Sequence, residues 1–201
     1  MKSHFALKAL AAGIAATAAA FAANAETTTV TGAGALSAPA HLDFAVVIPR
    51  FLTFRVGTNS ATIDQITFTV PGANVGDSTP IAGTGGDASA SAANVAVKGN
   101  GGQITITESN NGTGTGLQHA TLTDTIAFTQ ITTTSSDSTN LNAPALSNAG
   151  GNTATPVLNS SNVTNRTAVW TYAYANTTIP SAGTYGTSAK GGRVTYTAAM
   201  P

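Results

Sequence analysis

Cysteine is absent from this 201-residue sequence, and charged and aromatic residues are scarce. Without cysteine the chain can form no disulfide, no zinc–thiolate site and no thiol nucleophile. Charged residues make up 8% of the chain and aromatic residues 6%. Binding to nucleic acid requires clustered Lys and Arg that neutralise phosphates. The sequence has no such cluster, so we expect no nucleic-acid partner.

Histidine is equally rare, and the residues that catalysis needs do not cluster. Beyond residue 25 the histidines are His41 and His119, and no Gly-x-Ser-x-Gly nucleophile motif occurs. The carboxylates show neither the paired spacing of a glycosidase nor the clustered spacing of a calcium loop. The candidates by residue type are Asp43, Asp64, Glu108 and Asp124 for the first, and Asp77, Asp87 and Asp137 for the second. We therefore predict no catalytic residue, no metal site, no cofactor and no enzymatic activity.

The N-terminus has the pattern of an export signal. Two lysines within the first eight residues precede an alanine-rich apolar run over residues 9–23. Ala23-Asn24-Ala25 is the small-x-small pattern that signal peptidase cleaves. The apolar run is shorter than the ~20 residues of a membrane span. We predict that residues 1–25 are a signal peptide, and that the mature chain has no stable membrane span and resides in the periplasm, on the cell surface or outside the cell.

The composition of the mature chain favours β-structure. About one residue in five after position 25 is threonine, whose branched side chain suits strands. Glycine, asparagine and serine, which favour turns, fill much of the remainder. The common helix formers are scarce, so we expect no helix after the signal peptide.

Apolar residues alternate with polar ones along several short segments, as in strands with one buried face. The clearest segment is 166–174, where Ala168, Trp170, Tyr172 and Tyr174 share a face. Further strands are predicted over residues 44–56 (bent or divided at Pro49), 62–70, 95–97, 103–108, 122–131 and 192–199, with a weak strand near 157–158 as one interpretation of the loop there. The link Lys98-Gly-Asn-Gly-Gly102 predicts a β-hairpin between the third and fourth of these.

Seven to nine short strands predict an all-β fold, an Ig-like antiparallel β-sandwich, with a β-barrel or jelly roll as the alternative. Residues 26–201 are expected to form one domain, with a flexible N-terminal arm over 26–40. Two long loops interrupt the strands, at residues 72–93 and 132–165. The candidate core residues are Phe44, Phe54, Phe68, Phe128 and Trp170.

The start of the mature chain could pair with another subunit. Val30, Gly32, Gly34 and Leu36 alternate with Thr, Ala and other small residues. An extended segment of this kind can add as a strand to the sheet of a neighbouring molecule. We predict these four residues as an assembly strand; the alternatives are an ordinary first strand or a frayed terminus.

The C-terminal segment resembles a known class of proteins. Ala182-Gly-Thr-Tyr-Gly186, followed by Gly192-Arg-Val-Thr-Tyr-Thr197, is similar to the closing segment of bacterial fimbrial (pilin-like) subunits. WxL-type cell-surface domains end in a similar way. The resemblance covers this segment only, and it implies an Ig-like β domain at the cell surface.

Together these observations predict an exported, non-catalytic structural protein of the cell surface or periplasm, a fimbria-like or matrix subunit. Its expected partner is another copy of itself or a related surface subunit. The alternative is a secreted carbohydrate- or cell-wall-binding module presented by the loops at 72–93 and 132–165. Sugar binding of that kind would use exposed aromatic side chains.

Overall fold

The computed structural model describes residues 27–201, so the predicted signal peptide over residues 1–25 lies outside the described residues. The chain divides into two units between Ile48 and Pro49. We call residues 27–48 the arm and Pro49–Pro201 the body. The arm contains no helix or strand.

The body consists almost entirely of antiparallel strands, which confirms the all-β prediction. In chain order its twelve strands are β1 (Leu52–Val56), β2 (Ile66–Thr67), β3 (Ile81–Ala82), β4 (Thr84–Gly85), β5 (Ala92–Gly99), β6 (Thr105–Asn110), β7 (Leu117–Gln118), β8 (Thr125–Ile126), β9 (Ile131–Ser135), β10 (Thr153–Ala154), β11 (Thr164–Tyr174) and β12 (Val194–Ala199). The seven to nine predicted strands were too few, because six of the twelve are two-residue pairings that no periodicity reveals. Within residues 27–201 the only helical turns are 3₁₀ turns at Gly72–Asn74 and Phe128–Gln130.

The larger sheet is built around β11, the longest strand. β5 pairs with residues 164–171 of β11, and β1 pairs with the other edge of β5. β9 pairs with residues 170–174 along the opposite edge of β11. β3 pairs with the end of β11 and continues the line of β5. The resulting order β1–β5–β11–β9 leaves β1 and β9 as the outer strands.

The second sheet has the order β10–β6–β12, so β12 is an outer strand as well. β5 and β6 follow one another in the chain yet lie in different sheets. The predicted hairpin at Lys98-Gly-Asn-Gly-Gly102 is therefore wrong. A glycine-rich link permits either a hairpin or a crossing between sheets, and the crossing brings the apolar faces of β5 and β6 together across the core.

The core lies between the two sheets. β5 contributes Val95 and Val97, β6 contributes Ile106, with Ile104 just before it, and β11 contributes Trp170, which is fully buried. The Trp170 indole Nε1–H donates to the Leu141 carbonyl at 3.3 Å. Trp170 also contacts the Tyr196 ring edge-on, with centroids 5.2 Å apart. The tryptophan thus joins β11 to both β12 and the long loop after β9.

The aromatic residues that were predicted to lie in the core differ in how deeply they are buried. Phe128 is buried, as predicted, while Phe54 and Phe68 are half-buried and pack against the core. Phe44 is 87% exposed, so its assignment to the core was wrong. The predicted strand over 44–56 is reduced to β1, because Pro49 has no N–H to donate and residues 44–51 have no strand partner among the described residues.

The loop at 132–165 is part of the body's interior. It begins with most of β9, contains β10, and buries Leu141, Ala143 and Leu146. The strand considered near 157–158 does not form; the pairing residues are Thr153–Ala154 instead. The predicted strands over 62–70 and 122–131 shrink to β2 and β8, followed in the second case by a 3₁₀ turn and β9.

Replacing Trp170 with alanine tests the assignment of the core. A fully buried aromatic leaves a large cavity, and such changes cost ~3–5 kcal/mol. We expect the free energy of unfolding in urea to fall by about this amount. Thr171→Ala is the matched control, because Thr171 is exposed on the same strand and should cost less than ~1 kcal/mol. Equal losses from both variants would contradict the assignment.

Candidate functional site: the arm and the open sheet edges

The predicted assembly strand lies in the arm as exposed chain that forms no strand and bends at Ala33 and Gly34. Val30 is 38% exposed and Leu36 is 52% exposed. A Cβ placed on Gly32 would lie 3.3 Å from Leu36 Cδ2, whereas Gly34 has open space around it. These residues pair with no strand among the described residues, and their role in assembly stays a prediction.

A second, more apolar segment of the arm follows. Residues 40–48 lie between Pro39 and Pro49 and contain no proline. The large apolar side chains of this segment are 73–87% exposed. They are Leu42, Phe44, Val46, Val47 and Ile48. In a β-strand alternate residues share one face, so a strand formed over this segment would place four of the five side chains on the same face.

The edge of β12 is open on the side away from β6. The Asn111 N–H donates to the Arg193 carbonyl at 3.1 Å, and the Arg193 N–H donates to Asn111 Oδ1 at 2.9 Å. The Arg193 backbone therefore faces β6. Backbone groups alternate in direction along an antiparallel strand, so those of Val194, Tyr196 and Ala198 point to the open edge. They bond to no other strand in the described part of the chain.

β1 presents a second open edge by the same argument. The Phe51 N–H donates to Asn100 Oδ1 at 2.9 Å, and the Gly57 N–H donates to the Asn94 carbonyl at 2.8 Å. These residues flank β1 and face β5, so the backbone groups of the even-numbered residues of β1 point away from β5. Along residues 27–201, β5 is the one strand with which β1 pairs.

The two open edges belong to opposite sheets, and apolar side chains line both. Val194, Tyr196 and Ala198 of β12, with Phe54 and Val56 of β1, pack against the core but remain half-buried. At one end, where β1 begins and β12 ends, the edges are tied together. Arg50 Nη2 donates to the carbonyls of Gly101 and Pro201 there. We call these two edges, with the half-buried side chains along them, the notch.

No protein-family model, curated protein or solved structure matches the chain. The C-terminal segment that resembles fimbrial subunits forms β12 and the turn before it, which holds Tyr185. Its fimbrial character remains an expectation.

Asp124, one of the carboxylates considered for catalysis, ties two loops together. Its Oδ2 accepts from the Ser181 N–H at 2.9 Å and from the Tyr185 hydroxyl at 2.8 Å. Donation by the Ser181 backbone, and then by Tyr185, lowers the pKa of Asp124 to about 2. Burial, with the bond to Asp124, raises the pKa of Tyr185 to about 12. Asp124 is thus held as a carboxylate and Tyr185 as a neutral hydroxyl.

His119 completes this cluster, and both of its ring nitrogens are engaged. Nδ1 accepts from the backbone N–H groups of Thr121 and Leu122 at 3.0 and 2.9 Å. The ring proton therefore lies on Nε2, which is 3.1 Å from the Ala182 carbonyl. The imidazole is 5% exposed and contacts the Tyr185 ring edge-on. Its geometry is that of a structural residue, since neither nitrogen is available to a substrate.

Asp64 and Glu108 also take part in local hydrogen bonds. Asp64 accepts from the backbone and side chain of Thr58, and this lowers its pKa. Glu108 is fully buried on β6, where its Oε1 accepts from Asn110 at 3.1 Å. Residues 27–201 contain no group of three His, Asp or Glu placed to hold a metal ion. Over the same residues, no helix has the length and apolar character needed to cross a bilayer.

Tyr196, which is half-buried, pairs with Glu108 across β12 and β6, and its hydroxyl meets that of the buried Tyr172. The Tyr172 and Tyr196 hydroxyls are 3.1 Å apart across the core, so they share a hydrogen bond. Burial raises the pKa of both hydroxyls, and the charge of Tyr172 adds to the effect at Tyr196. They act as neutral core residues.

Asn176 is a structural residue that sequence reasoning missed. It is fully buried at φ +55°, a conformation that asparagine tolerates better than most residues. Its amide nitrogen donates to the Asn74 carbonyl at 2.6 Å and to Asp77 Oδ1 at 3.1 Å, and its Oδ1 accepts from the Gly76 N–H at 3.0 Å. The amide thus orders the start of the 72–93 loop. Its partners are about 100 residues away, so no local pattern signals it.

Lowering the pH should release the Asp124 contacts. The folded-state pKa of about 2 lies below the ordinary value of 3.8. The stabilisation is therefore complete above pH ~4 and is lost as the pH falls towards 2. We expect Asp124→Asn to lower the midpoint of urea unfolding at pH 7, with the difference from wild type shrinking between pH 4 and 2.

Tyr185→Phe is the matched control, because it removes one donor and keeps the carboxylate. It should give a smaller deficit at pH 7 with the same direction of pH dependence. A deficit for Asp124→Asn that is constant from pH 7 to 2 would contradict this account.

Proposed function

We propose that this chain is an exported, non-catalytic structural protein of the bacterial cell surface or periplasm. In this proposal it is a fimbria-like or matrix subunit with an Ig-like sandwich, and it assembles by strand addition from its N-terminal arm. One observation carries the proposal: within residues 27–201 the arm contributes no strand to either sheet, and its largest apolar side chains are exposed.

The exposed segment is costly in an isolated molecule. Burying one large aliphatic or aromatic side chain contributes ~1.5–3 kcal/mol, and residues 40–48 expose five of them within nine positions. Contiguous exposed apolar surface of this kind is typical of association sites. An extended segment that contacts a partner would recover this energy on assembly.

The body supplies matching acceptors. β1 and β12 both have unpaired backbone groups on one side, and exposed edge strands pair readily with other chains. Donor and acceptor features thus occur in the same chain, which supports self-assembly or assembly with a closely related subunit.

The polar residues support a non-catalytic role. Asp124, His119 and Asp64 are each engaged in bonds that hold loops in place. Tyr172 and Tyr174, which could stack on sugars if exposed, are buried. We therefore favour assembly over the carbohydrate- or cell-wall-binding alternative.

The test is the mass of the purified mature protein, residues 26–201, as its concentration is raised. We expect light scattering to show growth beyond the monomer and electron microscopy to show regular assemblies. Detergent below its denaturing range should reverse the growth, because apolar contacts drive it. A monomer at every concentration, stable without a partner subunit, would refute the proposal.

A further inference from the structure

We infer that the strand given by one copy is the segment 42–48, and that a second copy accepts it at the open edge of β12. The inference rests on the proposed function and makes it specific. It assigns the donor to the second apolar segment of the arm, which is distinct from the predicted assembly strand at Val30, Gly32, Gly34 and Leu36.

Residues 42–48 are better suited to form the donated strand than residues 30–36. Pro39 and Pro49 bound a run of nine residues that all have an N–H to donate. Leu42, Phe44, Val46 and Ile48 place four large side chains on one face, while the opposite face holds Asp43. The stretch at 30–36 offers only Val30 and Leu36 at its ends. Glycines lie between them, and glycine weakens a strand.

Three of the outer strands, β10, β9 and β1, each have a feature that disfavours pairing with a donated strand. β10 has only two residues, and β9 turns Thr133 and Ser135 towards the carbonyls of Pro144 and Leu141. These polar contacts leave no apolar row beside β9. β1 carries Arg55, with Lys98 on the adjacent strand. A charged side chain on an edge strand discourages pairing with another chain.

β12 lacks all of these features. Its six residues, Val-Thr-Tyr-Thr-Ala-Ala, include no charge and no proline. Val194, Tyr196 and Ala198 direct both their backbone groups and half-buried side chains to the notch. A strand added there would pair with these backbone groups and bury its apolar face against them.

The pieces fit in length and pattern. A seven-residue donor spans the six residues of β12, and both have apolar residues at every second position. The even-numbered donor residues would enter the notch, towards Tyr196 and Phe54. Asp43 would remain in water on the side of Thr195 and Thr197, which are exposed.

The open edge of β12 would be occupied by the segment 42–48 of a second copy, because each chain carries one such donor segment and one such acceptor edge. When each copy gives its segment to the next, the contact is heterologous, and it generates a chain or ring of subunits. The same chemistry thus predicts linear growth from a single type of subunit.

The test uses the full mature protein with paired substitutions in the arm. Phe44→Lys with Val46→Lys alters the proposed inward face, Val47→Lys is the control on the outward face, and Val30→Lys with Leu36→Lys alters the earlier segment. We expect the first variant to raise the dissociation constant for assembly by roughly a hundredfold or more. The other two should change it by less than about tenfold.

These arm residues are exposed, so their substitution should leave the unfolding midpoint unchanged. Assembly that survives Phe44→Lys with Val46→Lys, or that fails with Val30→Lys and Leu36→Lys instead, would overturn the inference while the proposed function stands. A wild-type protein that remains monomeric would overturn both.

Ala198→Pro tests the acceptor. The Ala198 N–H points to the open edge, so proline removes a donor there without removing a bond to β6. The variant should fold, with circular dichroism like wild type, and should not self-assemble. Mixed with Phe44→Lys/Val46→Lys, it should form a one-to-one heterodimer that grows no further, because one partner keeps the donor and the other keeps the acceptor.

Failure of the two variants to form a heterodimer, with both folded, would overturn the assignment of β12. If Ala198→Pro does not fold, Thr195→Glu replaces it as a negative charge at the rim of the same edge, on the side where Asp43 of the donor would lie. Thr195→Glu should weaken assembly, and Thr171→Glu, on β11, should not. Equal assembly by these last two variants would overturn the assignment as well.

Discussion

Burial of one apolar face per strand between two sheets is the constraint on which this molecule depends. With no disulfide and little charge, stability comes from packing around Trp170 and from the hydrogen bonds of the strand ladders. β5, β6 and β11 each pair with a neighbouring strand on both edges. β1 and β12 pair on one edge only, and their open edges form the notch.

Periodicity identified the strands whose residues are bulky and whose partners are long. β11 and β12 lie close to their predicted bounds, because Trp170 and the tyrosines leave little doubt about the buried face. The alternation of apolar residues shows which residues of a strand share a face, but it does not show which other strand pairs with it. The alternation from Phe44 onward is real, yet residues 44–51 form no strand in the described part of the chain. The glycine-rich link after β5 is compatible with two paths, and only core packing decides between them.

The polar clusters could not be predicted from sequence, since their members are far apart in the chain. Asp124 reaches Tyr185 across 61 residues, and Asn176 reaches Asp77 across 99. Each residue type was visible, whereas its partner was not. The site follows the same rule: the apolar segment is readable at residues 40–48, but the open edge that suits it emerges only from the sheet order. Strand order is a property of the whole chain, so no window of sequence contains it.

The position of β11 has a consequence for how the chain reaches its folded state. The central strand of the larger sheet ends at Tyr174, and the partner of β6 on one side begins only at Val194. A chain emerging N-terminus first, from a ribosome or a translocation pore, must therefore release nearly its whole length before either sheet can close. Contacts between such distant segments form slowly and leave intermediates exposed. The interval before closure is when a helper protein that shields unpaired strands would have most effect.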